Sequence, residues 1–289
     1  MKGRDIRHAS WAALMALLAA PSFLSATETG APDVRVYRQV GSRQLKAYVF
    51  RPGKTGSDRP AILLFHGGGW QIGEPSWVFD RAKEFAAGGM VAVAIEYRLS
   101  RDGLSPADAV EDACAAFAWA RAEASVLGID RTRVAGYGVS AGGHLAAAAA
   151  TLPSAKGRTI RADERPSALV LSSPALGMAR DAYFGELMAG RGDTSSYSPL
   201  EFVGPSLPPT LVIQGEKDKI VLTRDAEAFC AAAKSAGARC SLHIYPGVGH
   251  LLTRNLAVQY KDFDTDPAYA ADAHRHEDDF LATLGYLRR

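Results

Sequence analysis

The feature that most constrains the fold is a serine between two glycines, where a strand would meet a helix. Residues 138–142 read Gly-Val-Ser-Ala-Gly, with Ser140 at the centre. The run 133–138 predicts a buried strand, and the alanine-rich run 142–151 predicts a helix. A turn this sharp strains the serine backbone, and its neighbours must lack side chains for close packing. The pattern predicts a nucleophilic Ser140 above the sheet, with a plain glycine-rich turn as the alternative.

Hydrophobic runs on both sides of this turn predict an eight-stranded sheet. The first two, Val34–Val40 and Gln44–Phe50, read as an antiparallel hairpin, and the later runs are continuously apolar, as in strands covered on both faces. These later strands are expected at 61–65, 91–95, 133–138, 168–171, 210–213 and 241–245. Helices are expected at 106–124, 142–151, 224–236 and 269–287, with a short one at 182–189. This order predicts an α/β fold: one domain with a mostly parallel, doubly wound sheet.

The amino terminus has the layout of a secretory signal peptide. Basic residues precede an apolar stretch, Trp11–Leu24, which leads into small residues ending at Ala26. The stretch is short for a membrane span and Pro21 interrupts it, so no stable membrane anchor is expected. We therefore predict a signal peptide at 1–26, a folded domain at 27–289, and a secreted or periplasmic protein.

In an exported protein, the cysteines would be in an oxidising compartment where disulfides can form. Cys230 is predicted on a helix and Cys240 opens the next strand, with Gly237 turning the chain between them. A disulfide between them is feasible in an oxidising compartment, and two separate buried thiols are the alternative. Cys114 lies in an alanine-rich helix and is expected to be buried and free.

Charge and histidine spacing exclude other classes of function. The net charge is only +2, which does not indicate the excess of basic residues that is typical of a nucleic-acid-binding protein. No pair of histidines has metal-ligand spacing with supporting carboxylates, so we expect neither a metal nor another cofactor. His144, four residues after Ser140, is interpreted as a structural hydrogen-bonding group. The oligomeric state does not follow from the sequence.

A serine hydroxyl needs a base to take its proton, and that base needs an orienting acid. Asp218 lies just past the carboxyl end of the strand at 210–213, while Glu216, two residues earlier, is the second choice. His250 follows the last strand in a loop shaped by a proline and two glycines. The chain order Ser, Asp, His is that of the α/β-hydrolases and predicts the triad Ser140, Asp218 and His250.

Attack on an ester would place negative charge on the carbonyl oxygen, which requires preorganised donors. The amide of Ala141, next to the serine, is one candidate. The loop His66–Trp70 reads His-Gly-Gly-Gly-Trp, and we select the amides of Gly68 and Gly69 from it. A phosphate cradle is the competing interpretation, but no P-loop lysine follows.

These motifs, together with Glu96-Tyr97-Arg98, resemble the α/β-hydrolase esterases of the hormone-sensitive-lipase type and their exported acetyl- and feruloyl-esterase relatives. The resemblance covers nearly all of residues 27–289 and implies a serine carboxylesterase in this domain. Its substrates would be short acyl or phenolic esters, on small molecules or on a plant polysaccharide such as acetylated or feruloylated xylan. The lipase-type enzymes carry a sizeable amino-terminal cap, whereas about 30 residues separate Ala26 from the first parallel strand here. An open site without a large cap is therefore expected.

One irregular insert, 177–203, follows a strand and is expected to form part of the pocket wall. Because it is short and polar, we expect hydrolysis to fall steeply for acyl chains beyond about four carbons, which would lack an apolar tunnel. Trp70 and Tyr183 could stack a sugar or phenolic ring at the mouth. The alternative for Trp70 is packing beneath the glycine loop.

Two other functions use the same residues. A peptidase of the prolyl-oligopeptidase type has the same triad order, but it usually carries a β-propeller, for which we find no room in this sequence. A non-catalytic binding module could keep the fold, although a complete triad with both oxyanion loops argues against it.

Overall fold

The computed structural model describes residues 30–53, 56–261 and 263–288. The predicted signal peptide, 1–26, lies outside these residues. Within the described ranges, no helix combines the length and the apolar character needed to cross a membrane.

The strands confirm the predicted α/β architecture. In chain order they are β1 (Asp33–Val40), β2 (Arg43–Phe50), β3 (Arg59–Phe65), β4 (Val91–Ile95), β5 (Ile129–Val139), β6 (Ser154–Ala155), β7 (Arg158–Thr159), β8 (Leu169–Ser172), β9 (Thr210–Gly215) and β10 (Cys240–Tyr245). Eight of them form one sheet in the order β1-β2-β4-β3-β5-β8-β9-β10, and β6 pairs with β7 in a separate hairpin that the sequence analysis missed. Strand β2 is antiparallel to both neighbours and the other pairings in the sheet are parallel.

The described helices are α1 (Phe79–Ala87), α2 (Pro106–Ala122), α3 (Ala124–Leu127), α4 (Ala141–Thr151), α5 (Ala182–Met188), α6 (Thr223–Ser235) and α7 (Pro267–Thr283). Helix α1 was not predicted, although it buries Ala82, Phe85 and Ala86 at helical spacing. Helix α7 begins where the Asp266 side chain accepts from the amides of two residues of its first turn. It ends before the predicted Leu287 because Gly285 takes a positive φ of 76°.

Alternation along β3 separates two apolar layers. Ala61, Leu63 and Phe65 pack with side chains from α2, α4 and α6, whereas Ile62 and Leu64 pack with α1 and α7. Because successive side chains of a strand point to opposite faces, helices cover both sides of the sheet, as predicted. The loops that carry the site follow the carboxyl ends of parallel strands and therefore lie together at one edge of the sheet. These strands are β3, β5, β9 and β10.

Candidate active site

Ser140 lies at the sharp junction between β5 and α4. Its backbone has φ 53° and ψ −115°, a strained conformation for a residue other than glycine. A Cβ at Gly138 would lie 2.3 Å from the Gly142 carbonyl oxygen, and one at Gly142 would lie 2.1 Å from that of Phe65. The two glycines are therefore required by close backbone packing, as the sequence pattern predicts.

A chain of hydrogen bonds runs from Ser140 to His250 and Asp218. The distance from Ser140 Oγ to His250 Nε2 is 3.0 Å, and that from His250 Nδ1 to Asp218 Oδ2 is 2.8 Å. All three residues are less than one-tenth exposed, so water competes little for these bonds. If Nδ1–H donates to the carboxylate, Nε2 is left as an acceptor for the serine hydroxyl.

Both oxygens of the Asp218 carboxylate accept hydrogen bonds that hold it in place. Its Oδ1 accepts from the amides of Ile220 (2.9 Å) and Val221 (3.0 Å), and its Oδ2 accepts from Gln214 Nε2 (3.0 Å) as well as from His250. Glu216 points elsewhere: its carboxylate accepts from the Gly247 amide and pairs with Lys217 at the surface. Of the two acidic candidates, only Asp218 reaches the histidine.

The glycine loop after β3 lies directly against the serine. A Cβ at Gly67 would come within 3.4 Å of Ser140 Cβ, and one at Gly68, where φ is +110°, would lie 2.1 Å from the Ile72 carbonyl oxygen. Among the residues that the structure describes, the amides of Gly68, Gly69 and Ala141 have no protein acceptor. These unpaired N–H groups are the type of donor that stabilises an oxyanion.

His66 and Tyr97 support this loop from behind. Their rings stack with centroids 4.3 Å apart, and the Tyr97 hydroxyl donates to the His66 carbonyl at 2.8 Å. The Nδ1 atom of His66 lies 2.6 Å from the Gly67 carbonyl oxygen. Burial lowers the pKa of His66 to about 4, so the ring stays neutral at physiological pH.

Trp70 is a packing residue. It is 4% exposed, its Nε1–H donates to His144 Nδ1 at 3.2 Å, and its ring meets Phe184 edge-on. The Nε2–H of His144 donates to the Tyr197 carbonyl at 2.8 Å, which gives this histidine the structural role expected, and burial lowers its pKa to about 4. Trp70 therefore packs beneath the glycine loop, the alternative that the sequence left open. Part of it also lines the cavity above Ser140, so its contact with a substrate ring stays a prediction.

A cavity of about 700 Å³ opens above Ser140. Its wall is mostly apolar and draws on four separate segments: Ile72, Trp77, Met178, Ile220, Leu251 and Phe263. Tyr183 also lines it and is 43% exposed, with its hydroxyl donating to the Gly69 carbonyl at 3.0 Å. The insert contributes to the wall, as expected, and the loops after β3, β9 and β10 add apolar side chains to it.

Sequence reasoning missed two supporting glutamines and the wall segment after His250. Gln214 donates to Asp218, and Gln259 accepts from the His250 amide at 3.0 Å. Neither belongs to a recognisable motif, because each acts through contacts that only the folded loops create. Phe263 carries no sequence signal for the same reason.

The remaining predicted features concern redox and metal chemistry. Cys230 and Cys240 form a disulfide that joins α6 to the start of β10, and Cys114 is free and buried, as expected. Among the residues that the structure describes, no group of three or more His, Cys, Asp or Glu side chains could hold a metal ion.

Comparisons with known proteins agree with this geometry. The BD-FAE family model matches residues 48–167, and the model of the prolyl oligopeptidase family matches residues 181–280. The apo form of Thermogutta terrifontis esterase 2 is 31% identical, with a TM-score of 0.80, and the match covers 91% of this chain and 98% of that one. The chain belongs to the α/β-hydrolase serine esterases of the hormone-sensitive-lipase-like type.

Curated relatives align over shorter stretches. Carboxylesterase NlhH of Mycobacterium tuberculosis is 31% identical over 126 residues, which cover 42% of this chain and 39% of that protein. An arylesterase of Saccharolobus solfataricus is 28% identical over 207 residues, which cover 64% of this chain and 66% of that protein. The chain thus spans less than two thirds of these relatives.

Proposed function

We propose that the protein is an exported carboxylesterase that hydrolyses short acyl or phenolic esters through an acyl-enzyme on Ser140. The observation that carries this proposal is the buried chain from Ser140 Oγ to His250 Nε2, 3.0 Å, and from His250 Nδ1 to Asp218 Oδ2, 2.8 Å. This geometry suits proton removal from the serine, because one histidine nitrogen accepts while the other is anchored.

The catalytic cycle follows from these contacts. Ser140 Oγ attacks the acyl carbon while His250 takes its proton, and the amides of Gly68, Gly69 and Ala141 stabilise the oxyanion. His250 then gives the proton to the departing alcohol, leaving the acyl group on the serine. Water, activated by the same histidine, releases the acid and restores the enzyme.

The cavity supports short acyl groups and small aromatic rings as the bound portion. Structures of Thermogutta terrifontis esterase 2 include propionate-bound and butyrate-bound forms. Tyr183 and Tyr260 line the cavity with exposed rings, which suit contact with a phenolic or sugar ring. Because the wall is apolar, the proposed acyl range extends beyond the four-carbon limit expected from the polar insert.

A substrate panel tests this function. We expect p-nitrophenyl acetate and butyrate to be hydrolysed, with Ser140→Ala as the inactive control. Methyl ferulate and acetylated xylan distinguish a phenolic ester from an acetyl group on a polysaccharide. Absence of hydrolysis of every ester by folded wild type would refute the esterase and favour a non-catalytic binding module.

A peptidase is the second candidate, because the prolyl oligopeptidase family model matches residues 181–280. The same panel should therefore include an X-Pro p-nitroanilide peptide. Its hydrolysis with kcat/KM above that for p-nitrophenyl butyrate would favour the peptidase.

The predicted signal peptide and the disulfide support export. Thiol titration of the denatured, non-reduced protein should find one free thiol, from Cys114, among the three cysteines. Three free thiols would contradict the Cys230–Cys240 bridge.

A further inference from the structure

One buried glutamine connects the two loops that carry the acid and the base. Gln259 lies between β10 and α7 and is 3% exposed. Its Oε1 accepts from the amides of His250 (3.0 Å) and Lys219 (3.1 Å), and its Nε2 donates to the Lys217 carbonyl at 2.9 Å. Because Lys217 and Lys219 flank Asp218, this side chain holds the main chain on both sides of the acid and at the histidine.

The polar pattern of these contacts is specific for an amide. Two backbone donors meet the side-chain oxygen, and one backbone acceptor meets the NH₂ group, so the amide orientation is fixed. An ionised carboxylate would set an oxygen against the Lys217 carbonyl, and an apolar side chain would leave all three backbone groups without this partner. The site therefore selects glutamine among side chains of this length.

Packing around the amide explains the glycine before His250. A Cβ at Gly249 would lie 2.4 Å from Gln259 Cδ, 2.5 Å from its Oε1 and 2.7 Å from its Nε2. The amide therefore lies directly on the Gly249 backbone. This contact leaves Gln259 and the loop bearing His250 little freedom to move apart.

The loop bearing the histidine needs external support. Leu251 and Leu252 both take positive φ values, 53° and 60°, which cost free energy in residues with a Cβ. Ser173 Oγ accepts from the Leu251 amide at 3.1 Å, and Gln259 accepts from the amide of His250 itself. These two side chains hold the strained turn in the conformation that aims the imidazole.

We propose that Gln259 is a positioning residue for catalysis: it fixes the acid loop and the histidine loop relative to each other and so keeps His250 aligned between Asp218 and Ser140. This inference rests on the proposed esterase function. Its physical basis is that small misplacements of catalytic groups cost large factors in rate, while ground-state binding depends on the cavity wall.

The first variant removes the polar contacts and preserves the length of the side chain. In Gln259→Met, we expect kcat for p-nitrophenyl butyrate to fall about 10²-fold, with KM changed by no more than about twofold. Arg254→Ala is the matched control, because Arg254 pairs with Asp264 on the same segment (2.6 Å) and both side chains are half-exposed. The control should keep kcat within about twofold of wild type.

The second variant, Gln259→Glu, can make the same contacts as the amide only when its carboxyl group is protonated. A protonated carboxyl group offers one O–H donor and one carbonyl acceptor, as the amide does, whereas the ionised form cannot donate to Lys217. The ratio of kcat in Gln259→Glu to kcat in wild type should therefore rise as pH falls. The corresponding ratio for Gln259→Met should stay flat with pH, since methionine adds no titratable group and the rest of the chain is common to both proteins.

Each outcome decides the proposal. A folded Gln259→Met enzyme with kcat within about threefold of wild type, or a loss matched by Arg254→Ala, would overturn the positioning role and leave the esterase intact. If Gln259→Met fails to fold, a pH-independent Gln259→Glu ratio would overturn it instead. A wild type that hydrolyses no ester would overturn the proposed function and this inference together.

Discussion

The floor and the wall of the cavity are built in different ways. The floor, consisting of Ser140, Asp218, His250 and the glycine loop at 67–69, is carried by strand ends. Buried or partly buried hydrogen bonds hold its three catalytic side chains. The wall comes from side chains of four segments, several of them partly exposed. The residues of the floor therefore determine which reaction is catalysed. Substitutions in the wall can alter which substrate is bound with little effect on the catalytic groups.

The strongest test of the floor is Ser140→Ala. We expect kcat/KM for p-nitrophenyl acetate to fall roughly 10⁶-fold, because the nucleophile is lost while the oxyanion amides remain. Thermal unfolding should be little changed, since one partly accessible hydroxyl is removed. Retention of activity within about tenfold of wild type would mean that another group performs the attack.

Asp218→Asn is expected to have the next largest effect. The variant should lower kcat about 10⁴-fold with little effect on KM, because His250 loses the anion that stabilises its protonated form. Glu216→Gln is the matched control two residues away. It should be nearly silent because the Glu216 carboxylate accepts from the Gly247 amide and from Lys217 and not from His250. An exchange of these two phenotypes would reassign the acid.

The difference between floor and wall also explains what the sequence could predict. The turn around Ser140, the positions of Asp218 and His250 after strands, and the eight strands themselves follow from local patterns of glycine and apolar residues. Phe263 and Gln259 could not be predicted, because their contacts form only after separate loops have folded together. Phe263 then meets the ring of His250, and Gln259 meets the backbone of His250 and of the loop at 217–219. Helix α1 was missed because nine residues carry a weak periodic signal, although tertiary burial of Phe85 stabilises it.

Two neutral histidines beneath the floor predict a pH-dependent stability. Burial lowers the pKa of His66 and of His144 to about 4, from an ordinary value of 6.5. Between pH 6.5 and 4 these histidines are protonated in the unfolded chain but stay neutral in the folded protein. The free energy of unfolding therefore decreases as the pH drops from 6.5 towards 4. Each histidine contributes up to about 2 kcal/mol of this loss between pH 6.5 and 5.

Denaturant unfolding of His144→Gln measures one of these contributions. The amide can accept from Trp70 and donate to Tyr197 as the imidazole does, but it does not titrate. The free energy of unfolding of the variant should therefore fall by about 2 kcal/mol less than that of wild type over the same pH range. Equal pH slopes in the two proteins would show that His144 does not stay neutral in the folded state.

The smallest predicted effect tests the wall. Ile220 and Ile244 are matched, at 39% and 38% exposed, but only Ile220 is among the residues that line the cavity. Burying one methylene is worth roughly 0.8 kcal/mol, or about fourfold in kcat/KM. We therefore expect kcat/KM to rise from acetate to butyrate and to decline gradually, without a steep fall immediately beyond four carbons.

Ile220→Ser should flatten this rise, while Ile244→Ser should leave it unchanged. Acetate hydrolysis should stay within about twofold in both variants, because the amide of Ile220 still donates to Asp218 and the floor is intact. A chain-length profile altered equally by the two variants would mean that Ile220 does not contact the acyl chain. A steep fall beyond butyrate in wild type would mean that the apolar wall faces the alcohol portion of the ester, since acyl methylenes would then remain in water.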